Sequence, residues 1–287
     1  MSQVKIYEVG PRDGLQNEKT IIPTQSKIEL INHLSAAGFS NIEAASFVSP
    51  KWVPQMADAA EVMAGITRKP GVTYSALTPN LRGLERALEA GVDEVAIFGA
   101  ASETFSQKNI NCSIAESIER FRPVAELAKR NNIPVRGYVS CVVGCPYEGD
   151  IAPTAVRVAA EQMIALGCYE VSLGDTIGVG TPDTIRTMLE VVLEGVSADQ
   201  LAGHYHDTNN RAVDNIFASL ELGIKAFDSA IGGLGGCPYA PGAKGNVSTI
   251  TLVGKLHEQG WKTGLDMAKL RGAETYLQRE IKGLDAR

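Results

Sequence analysis

The sequence predicts a (β/α)8 TIM barrel, an α/β fold. Short runs rich in Val and Ile alternate with amphipathic segments of helical length, and no Pro/Ser-rich linker interrupts them over the 287 residues. The first run is followed by Gly10-Pro-Arg-Asp-Gly14, whereas an open doubly wound sheet, the alternative fold, would place a phosphate-binding glycine turn after an early strand. We therefore expect one barrel domain over residues 1–287, with a Gly-rich lid loop and with residues 261–287 as a C-terminal helical extension.

Eight strands are predicted, because eight short runs are rich in β-branched residues and are bounded by turn residues. In chain order they are 4–9, 42–47, 72–77, 93–98, 135–141, 169–173, 201–206 and 226–231.

Helices fill the intervals between these strands. Thr or Pro residues precede the helices predicted at 25–37, 80–90 and 184–194, and C-cap glycines mark helix ends at Gly38, Gly91, Gly167 and Gly223. A further helical pattern runs from Leu265 to Ile281. We expect it to cap the barrel or to contact a partner subunit, and its apolar face favours a homodimer.

The composition is that of an ordinary globular protein and excludes several function classes. Five scattered cysteines with no CxxC pair favour a reduced, cytoplasmic setting, and the strand pattern that begins at the first residues leads us to expect no signal peptide. A formal net charge of -6 argues against nucleic-acid binding. No run of 18 apolar residues is present, so no membrane span is expected.

Polar residues cluster where the predicted strands end. Strand one is followed by Arg12-Asp13, strand two carries Glu43, and strand six is followed by Asp175. In a barrel these ends meet at one face, where converging carboxylates would repel one another unless a cation lay among them. A divalent metal ion is the simplest explanation.

His204 and His206 are two residues apart in a predicted strand, so both imidazoles point to the same side and can reach one ion. The alternative is a pair of hydrogen-bonded histidines inside the barrel. Asp13 and Asn246 at neighbouring strand ends favour the metal, and a set of two His with Asp and Asn favours Mg²⁺ or Mn²⁺ over structural zinc.

Residues 232–245 are too rich in glycine for a strand or helix and predict a lid over the barrel; the alternative is a plain flexible loop. Cys237 lies between Gly236 and Pro238, which would expose its thiol. Near Arg12 and a metal, such a thiol could act as an acid or base.

Five motifs together resemble the 3-hydroxy-3-methylglutaryl-CoA (HMG-CoA) lyase family, and the resemblance covers essentially the whole chain. The Leu234–Tyr239 motif, Leu-Gly-Gly-Cys-Pro-Tyr, separates these lyases from the related isopropylmalate and homocitrate synthases. The other motifs are Val9–Lys19, Ser46–Asp58, Gly174–Gly178 and Gly203–Thr208.

The resemblance implies metal-dependent cleavage of HMG-CoA to acetyl-CoA and acetoacetate, with an acyl-CoA as the small-molecule partner. It implies that the metal is bound by Asp13, His204, His206 and Asn246. It also implies that Arg12 stabilises the developing enolate, that Cys237 donates or relays a proton, and that Glu43 and Asp175 support or carry proton transfers. Further lining residues would be Gln16, Ser46, Tyr138, Ser172 and Thr176. Lys19 with Asn109 would bind CoA, and Lys51 and Lys244 are candidates from their loop positions alone.

Two segments depart from the family pattern and leave the acyl group open. Asn209-Asn210-Arg211 stands where the family has an aromatic residue and a glycine, and Ser248–Thr251 replaces an acidic run. A lyase of the same mechanism acting on another branched 3-hydroxyacyl-CoA, longer-tailed glutaryl-CoA or citramalyl-CoA, is therefore the first alternative. A Claisen-condensing synthase and a barrel without catalysis that binds CoA or a partner are the others.

Overall fold

Eight parallel strands close into a barrel in the computed structural model, which describes residues 3–235 and 245–281. The barrel strands are β1 (Lys5–Glu8), β2 (Asn41–Ser46), β3 (Thr73–Leu77), β4 (Glu94–Ala100), β5 (Val135–Ser140), β8 (Glu170–Asp175), β9 (Leu201–Tyr205) and β10 (Ala226–Ser229), with a hairpin of β6 (Gly144–Cys145) and β7 (Gly149–Asp150) outside the barrel. Parallel pairing of β1 with β10 closes the barrel, so the predicted fold is confirmed.

Helices follow the barrel strands. They are α1 (Thr24–Ala37), α2 (Ala59–Gly65), α3 (Leu81–Glu89), α4 (Glu103–Ile110), α5 (Ile114–Arg130), α6 (Pro153–Ala165), α7 (Pro182–Val192), α8 (Ala212–Glu221), α9 (Thr249–Glu258) and α10 (Met267–Tyr276). Two helices instead of one separate β4 from β5, because Asn111 adopts a left-handed conformation and Ser113 opens α5 with a capping box.

The barrel interior is polar. Tyr7 of β1 donates a hydrogen bond of 2.5 Å to Glu94 of β4, and Arg136 of β5 reaches Asp228 of β10 at 2.7 Å. These strands are not neighbours in the barrel, so the bonds must cross its interior. The apolar core lies instead between strands and helices, where buried Val, Leu and Ile side chains from both pack together.

The last described α-helix, α10, packs on α1 and is followed by a π-helical turn, Leu277–Ile281. Leu270, Ala273 and Leu277 are fully buried, and the rings of His33 and Tyr276 lie 5.0 Å apart. No helix in the described part of the chain is long and apolar enough to cross a membrane.

Candidate active site and metal centre

Asp13, His204 and His206 meet at the carboxyl ends of the barrel strands. Asp13 lies in the π-helical turn Gly10–Gly14 that follows β1, His204 lies in β9, and His206 comes directly after that strand. Each residue offers one ligand atom, and these atoms all lie within 4.8 Å of one another. This separation matches the distances between ligand atoms around one metal ion.

His204 uses its two ring nitrogens differently. Nδ1 lies 3.0 Å from Oδ2 of Asp228, and Nε2 lies 3.9 Å from Oδ2 of Asp13. Burial by itself would lower the pKa of His204, but the hydrogen bond and the charge of Asp228 outweigh it and raise the pKa.

His206 carries a buried nitrogen, Nδ1, for which the described residues provide no hydrogen-bond partner. Its ring hydrogen bonds to the backbone of Thr176. Burial and the neighbouring His204 lower the pKa of His206 to about 4, so the ring is neutral near pH 7. A neutral imidazole with a buried, unpaired nitrogen is ready to bind a metal ion.

Asn246 joins this group from the segment before α9. Its Nδ2 donates to Oδ2 of Asp13 at 2.8 Å and to the carbonyl of Leu234 at 3.1 Å. Burial alone would raise the pKa of Asp13, but Arg12 and His204 lower it, so the carboxylate is charged. Two imidazoles, a carboxylate and an amide fit a divalent metal ion.

Arg12 lies between two carboxylates. Nη1 donates to Oδ1 of Asp13 at 2.6 Å, and Nε donates to Oε2 of Glu43 at 2.6 Å. Tyr138 also donates to Oε2 of Glu43, at 3.2 Å, while Oε1 of Glu43 is buried with no partner in the described ranges. Burial raises the pKa of Glu43.

These hydrogen bonds continue around the barrel as a ring of side chains, in which the last link is a 3.9 Å separation between Nε2 of His204 and Oδ2 of Asp13. Arg136 donates to the hydroxyl of Tyr138 at 2.9 Å and to Asp228, which in turn binds His204. In order, the ring comprises Asp13, Arg12, Glu43, Tyr138, Arg136, Asp228 and His204. Such a network holds each member in one orientation.

A cavity of about 1170 Å³ opens over this ring. Among the residues named from the sequence, its lining includes Arg12, Asp13, Gln16, Lys19, Asn109, Tyr138, Ser172, Thr176, His204 and His206. Glu43 and Ser46 are fully buried, and Oγ of Ser46 has no partner among the described atoms.

Asp175 has a different surrounding from the other carboxylates. Its oxygens accept hydrogen bonds from the backbone N–H groups of Val179 at 3.2 Å and Gly180 at 2.8 Å. These two hydrogen bonds therefore hold the loop between β8 and α7 in place. Cys237 and Lys244 lie outside the described residues.

Sequence reasoning did not identify Arg136 or Asp228. Both are charged residues inside otherwise apolar or small-residue strands, Val135–Ser140 and Ala226–Ser229, and both are fully or almost fully buried. A charged residue inside an apolar strand was the sequence feature that could have identified them, because a buried charge needs a partner.

The departures from the family pattern take part in loop contacts. Nδ2 of Asn209 donates to the carbonyl of Gly178 at 2.7 Å, and Oγ1 of Thr249 donates to Oε2 of Glu8 at 2.7 Å. None of these four residues is among the residues that line the site cavity or among the candidate metal ligands.

Known proteins resemble this chain over nearly its whole length. The cytoplasmic 3-hydroxy-3-methylglutaryl-CoA lyase of Rattus norvegicus is 56% identical over 278 residues, covering 97% of this chain and 81% of the relative. The 3-hydroxy-3-isohexenylglutaryl-CoA/hydroxy-methylglutaryl-CoA lyase of Pseudomonas aeruginosa is 58% identical over 268 residues, covering 93% of this chain and 89% of the relative. The crystal structure of the HMG-CoA lyase from Brucella melitensis has a TM-score of 0.96 and 59% identity, covering 97% of this chain and 99% of that one.

A family model described as HMGL-like matches residues 3–277. Together with these relatives, it establishes that the chain belongs to the HMGL-like family.

Proposed function

We propose that this protein is a lyase that cleaves HMG-CoA to acetyl-CoA and acetoacetate with the help of a divalent cation, Mg²⁺ or Mn²⁺. The observation that carries the proposal is the placement of Arg12 beside Asp13, His204 and His206 at one cavity. The lyase names of the rat, Pseudomonas and Brucella relatives support it.

Asp13, His204, His206 and Asn246 would hold the cation. When bound, it would polarise the oxygens of the substrate and favour loss of the proton from the tertiary hydroxyl. Asp13 and His206 are in the protonation states that metal binding requires, since Asp13 is charged and His206 is neutral.

The remaining residues act on the bond that breaks. Loss of the hydroxyl proton leads to a ketone at C3, the C2–C3 bond breaks, and its electron pair moves into the thioester to form an enolate. Arg12 would stabilise the enolate oxygen, because Asp13 and Glu43 hold its guanidinium in place. A proton must then reach the enolate carbon to give acetyl-CoA, and we assign its delivery to Cys237.

Glu43 and Asp175 differ in what they can contribute. The pKa of Glu43 is raised by burial, and its Oε1 has no partner among the described residues, so it suits a group that carries a proton. Asp175, bonded to backbone N–H groups, suits a supporting role in holding the loop next to Thr176.

CoA would extend along the rest of the cavity. Lys19 and Asn109 line it together with Gln16, and they offer a cation and an amide to an anionic ligand on a protein of net charge -6. Ser172 and Thr176 line the same cavity close to the ligands of the cation, so we assign them to the acyl end.

A longer branch at C3 of the substrate is the second candidate. The Pseudomonas relative is named for 3-hydroxy-3-isohexenylglutaryl-CoA as well as for the methyl compound. In this chain the cavity is also lined by Val48, Leu77 and Phe98, apolar side chains that could contact an alkenyl group.

The test is acetoacetate release from HMG-CoA by purified protein, first after EDTA treatment and then with added Mg²⁺ or Mn²⁺. Activity that EDTA abolishes and either cation restores is expected. The isohexenyl substrate is assayed in parallel, and turnover of that compound alone would replace the first candidate by the second. Turnover of neither compound by cation-loaded protein would contradict both.

We also propose a homodimer in the cytoplasm. The rat relative is named as cytoplasmic, whereas other relatives of similar identity are named as mitochondrial. Light scattering after size exclusion should give twice the chain mass of 30.6 kDa. A mass of one chain would contradict the dimer.

A further inference from the structure

Asp228 binds the ring nitrogen of His204 that faces away from Asp13. Oδ2 of Asp228 lies 3.0 Å from Nδ1, whereas Nε2 is the nitrogen near Asp13. We propose that Asp228 is a positioning residue that keeps Nδ1 of His204 protonated and so reserves Nε2 for the divalent cation. The inference rests on the proposed function, because it assigns a partner to one of the ligands proposed there.

The hydrogen between the two residues belongs to His204, because Asp228 can only accept. Nη1 and Nη2 of Arg136 donate to its two oxygens at 3.2 Å and 2.7 Å, and Oγ of Ser172 donates to Oδ2 at 2.8 Å. A carboxylate with a bidentate guanidinium is ionised, and an ionised carboxylate has no proton to donate.

Arg136 is itself fixed, so Asp228 has one orientation. The side chain of Arg136 is fully buried, and its Nε donates to Oε1 of Glu170 at 2.8 Å. The other oxygen of Glu170 accepts from Lys5 at 2.7 Å. Rotation of Asp228 away from His204 would leave a buried guanidinium with half of its partners.

The two candidate histidine ligands are therefore oriented by different means. His206 hydrogen bonds to the backbone of Thr176, which every variant retains, whereas His204 depends on one side chain that can be replaced. A partner of this kind fixes the tautomer of a metal-binding imidazole and raises its basicity.

The first measurement uses the wild-type protein free of metal, with ¹⁵N-labelled histidine. The chain contains four histidines, so the spectrum is simple, and a His204→Ala variant assigns the signal. A proton on Nδ1 of His204 is expected. An unprotonated Nδ1 overturns the inference without reference to any Asp228 variant.

The second measurement compares Asp228→Asn with the wild type. The amide oxygen of Asn should stay with Arg136, so its NH₂ group faces Nδ1 of His204 and the proton moves to Nε2, as in catalytic triads whose Asp is replaced by Asn. The Kd for Mn²⁺, measured by titration of the electron paramagnetic resonance signal, is expected to rise by about 10-fold to 100-fold.

Glu94→Gln is the matched control. Glu94 is another buried barrel carboxylate, which accepts hydrogen bonds from Tyr7 at 2.5 Å and Tyr169 at 2.9 Å and from neither His204 nor Arg136. Its Kd for Mn²⁺ should equal that of the wild type. Wild-type protein that binds no divalent cation overturns the proposed function and this inference with it, whereas wild-type affinity in Asp228→Asn overturns this inference alone.

Discussion

Arg12 is the residue whose charge the proposed reaction uses most directly. Its guanidinium contacts Asp13 on one side and Glu43 on the other, at 2.6 Å in both cases, so it is preorganised. Replacing it by Gln should lower kcat about 100-fold to 1,000-fold, since one preorganised donor at a developing oxyanion is worth about 3 to 4 kcal/mol. Steady-state kinetics and metal analysis of the same sample measure this.

Arg186→Gln is the control for that variant, because Arg186 pairs with Glu221 on the exposed side of α7 and α8. It should leave kcat unchanged. Near-normal turnover in Arg12→Gln would remove the guanidinium from the mechanism, and loss of bound metal would reassign it to holding Asp13.

Glu8 links three segments from a fully buried position. Oε1 accepts from the backbone N–H groups of Gly10 and Ile231, at 2.9 Å and 2.8 Å, and Oε2 accepts from Thr249. Burial nevertheless raises the pKa of Glu8 from 4.5 to about 7. Because the folded state holds this proton more tightly, the stability it contributes is full below about pH 4.5 and is lost as the pH rises through about 7.

Glu8→Gln should remove that pH dependence, because the amide imitates the protonated acid. Between pH 5 and pH 8 the free energy of unfolding of the wild type should fall relative to the variant by on the order of 3 kcal/mol. Urea denaturation at both pH values measures the difference. Parallel profiles for the two proteins would mean that Glu8 is ionised throughout the range.

At the residue scale, the sequence predicted the site residues whose proximity follows from their spacing within one strand. His204 and His206 were identified because residues two apart in a strand share a side. Asp228 and Arg136 were missed because their contacts cross the barrel, between strands that have no fixed spacing in the chain.

At the element scale, a turn near the start of the Gly-rich segment 232–245 depends on a glycine. Gly235 has a φ of +91°, and a Cβ atom there would lie 2.7 Å from Nδ2 of Asn246 and 3.2 Å from the backbone oxygen of Asp13. Gly235→Ala should therefore displace a proposed metal ligand, and the strain of about 1 to 2 kcal/mol should weaken Mn²⁺ binding about tenfold. A Mn²⁺ titration measures it.

Gly254→Ala is the matched substitution in the next helix. No atom of residues 3–235 or 245–281 lies within 4 Å of a Cβ placed there, and Gly254 is in the interior of α9. It should leave Mn²⁺ binding unchanged and stabilise the protein by about 0.5 to 1 kcal/mol. Equal affinities in both variants would show that the turn has room for a side chain.

Element prediction succeeded where hydrophobic periodicity is long enough. The eight predicted strands differ from the observed ones by at most two residues at either end, as for 226–231 against Ala226–Ser229. The hairpin of Gly144–Cys145 and Gly149–Asp150 was not predicted, because two-residue strands have no measurable period.

At the scale of the whole molecule, the proposed metal ligands lie across the seam where the barrel closes. Asp13 follows β1, His204 lies in β9 with His206 directly after it, and Asn246 lies before α9, beyond β10. These three strands are adjacent, in the order β1, β10, β9. Hydrophobic periodicity can predict that a barrel forms. Which strands contribute ligands to one ion depends on how the barrel closes, and it closes only when the first strand pairs with the last, β1 with β10.

This arrangement predicts where a cation stabilises the protein. Since only the folded state brings the ligands together, a saturating cation at about 100 times its Kd should add about 2.7 kcal/mol to the free energy of unfolding. Hydrogen exchange should slow most in β1, β9 and β10, and less in β3 to β5 on the opposite side. Exchange measured with EDTA and with Mg²⁺ compares these segments within one sample. An equal increase in protection of all strands would mean that the cation raises global stability without a local effect on β1, β9 and β10. No change in any strand would contradict a metal ion at these four residues.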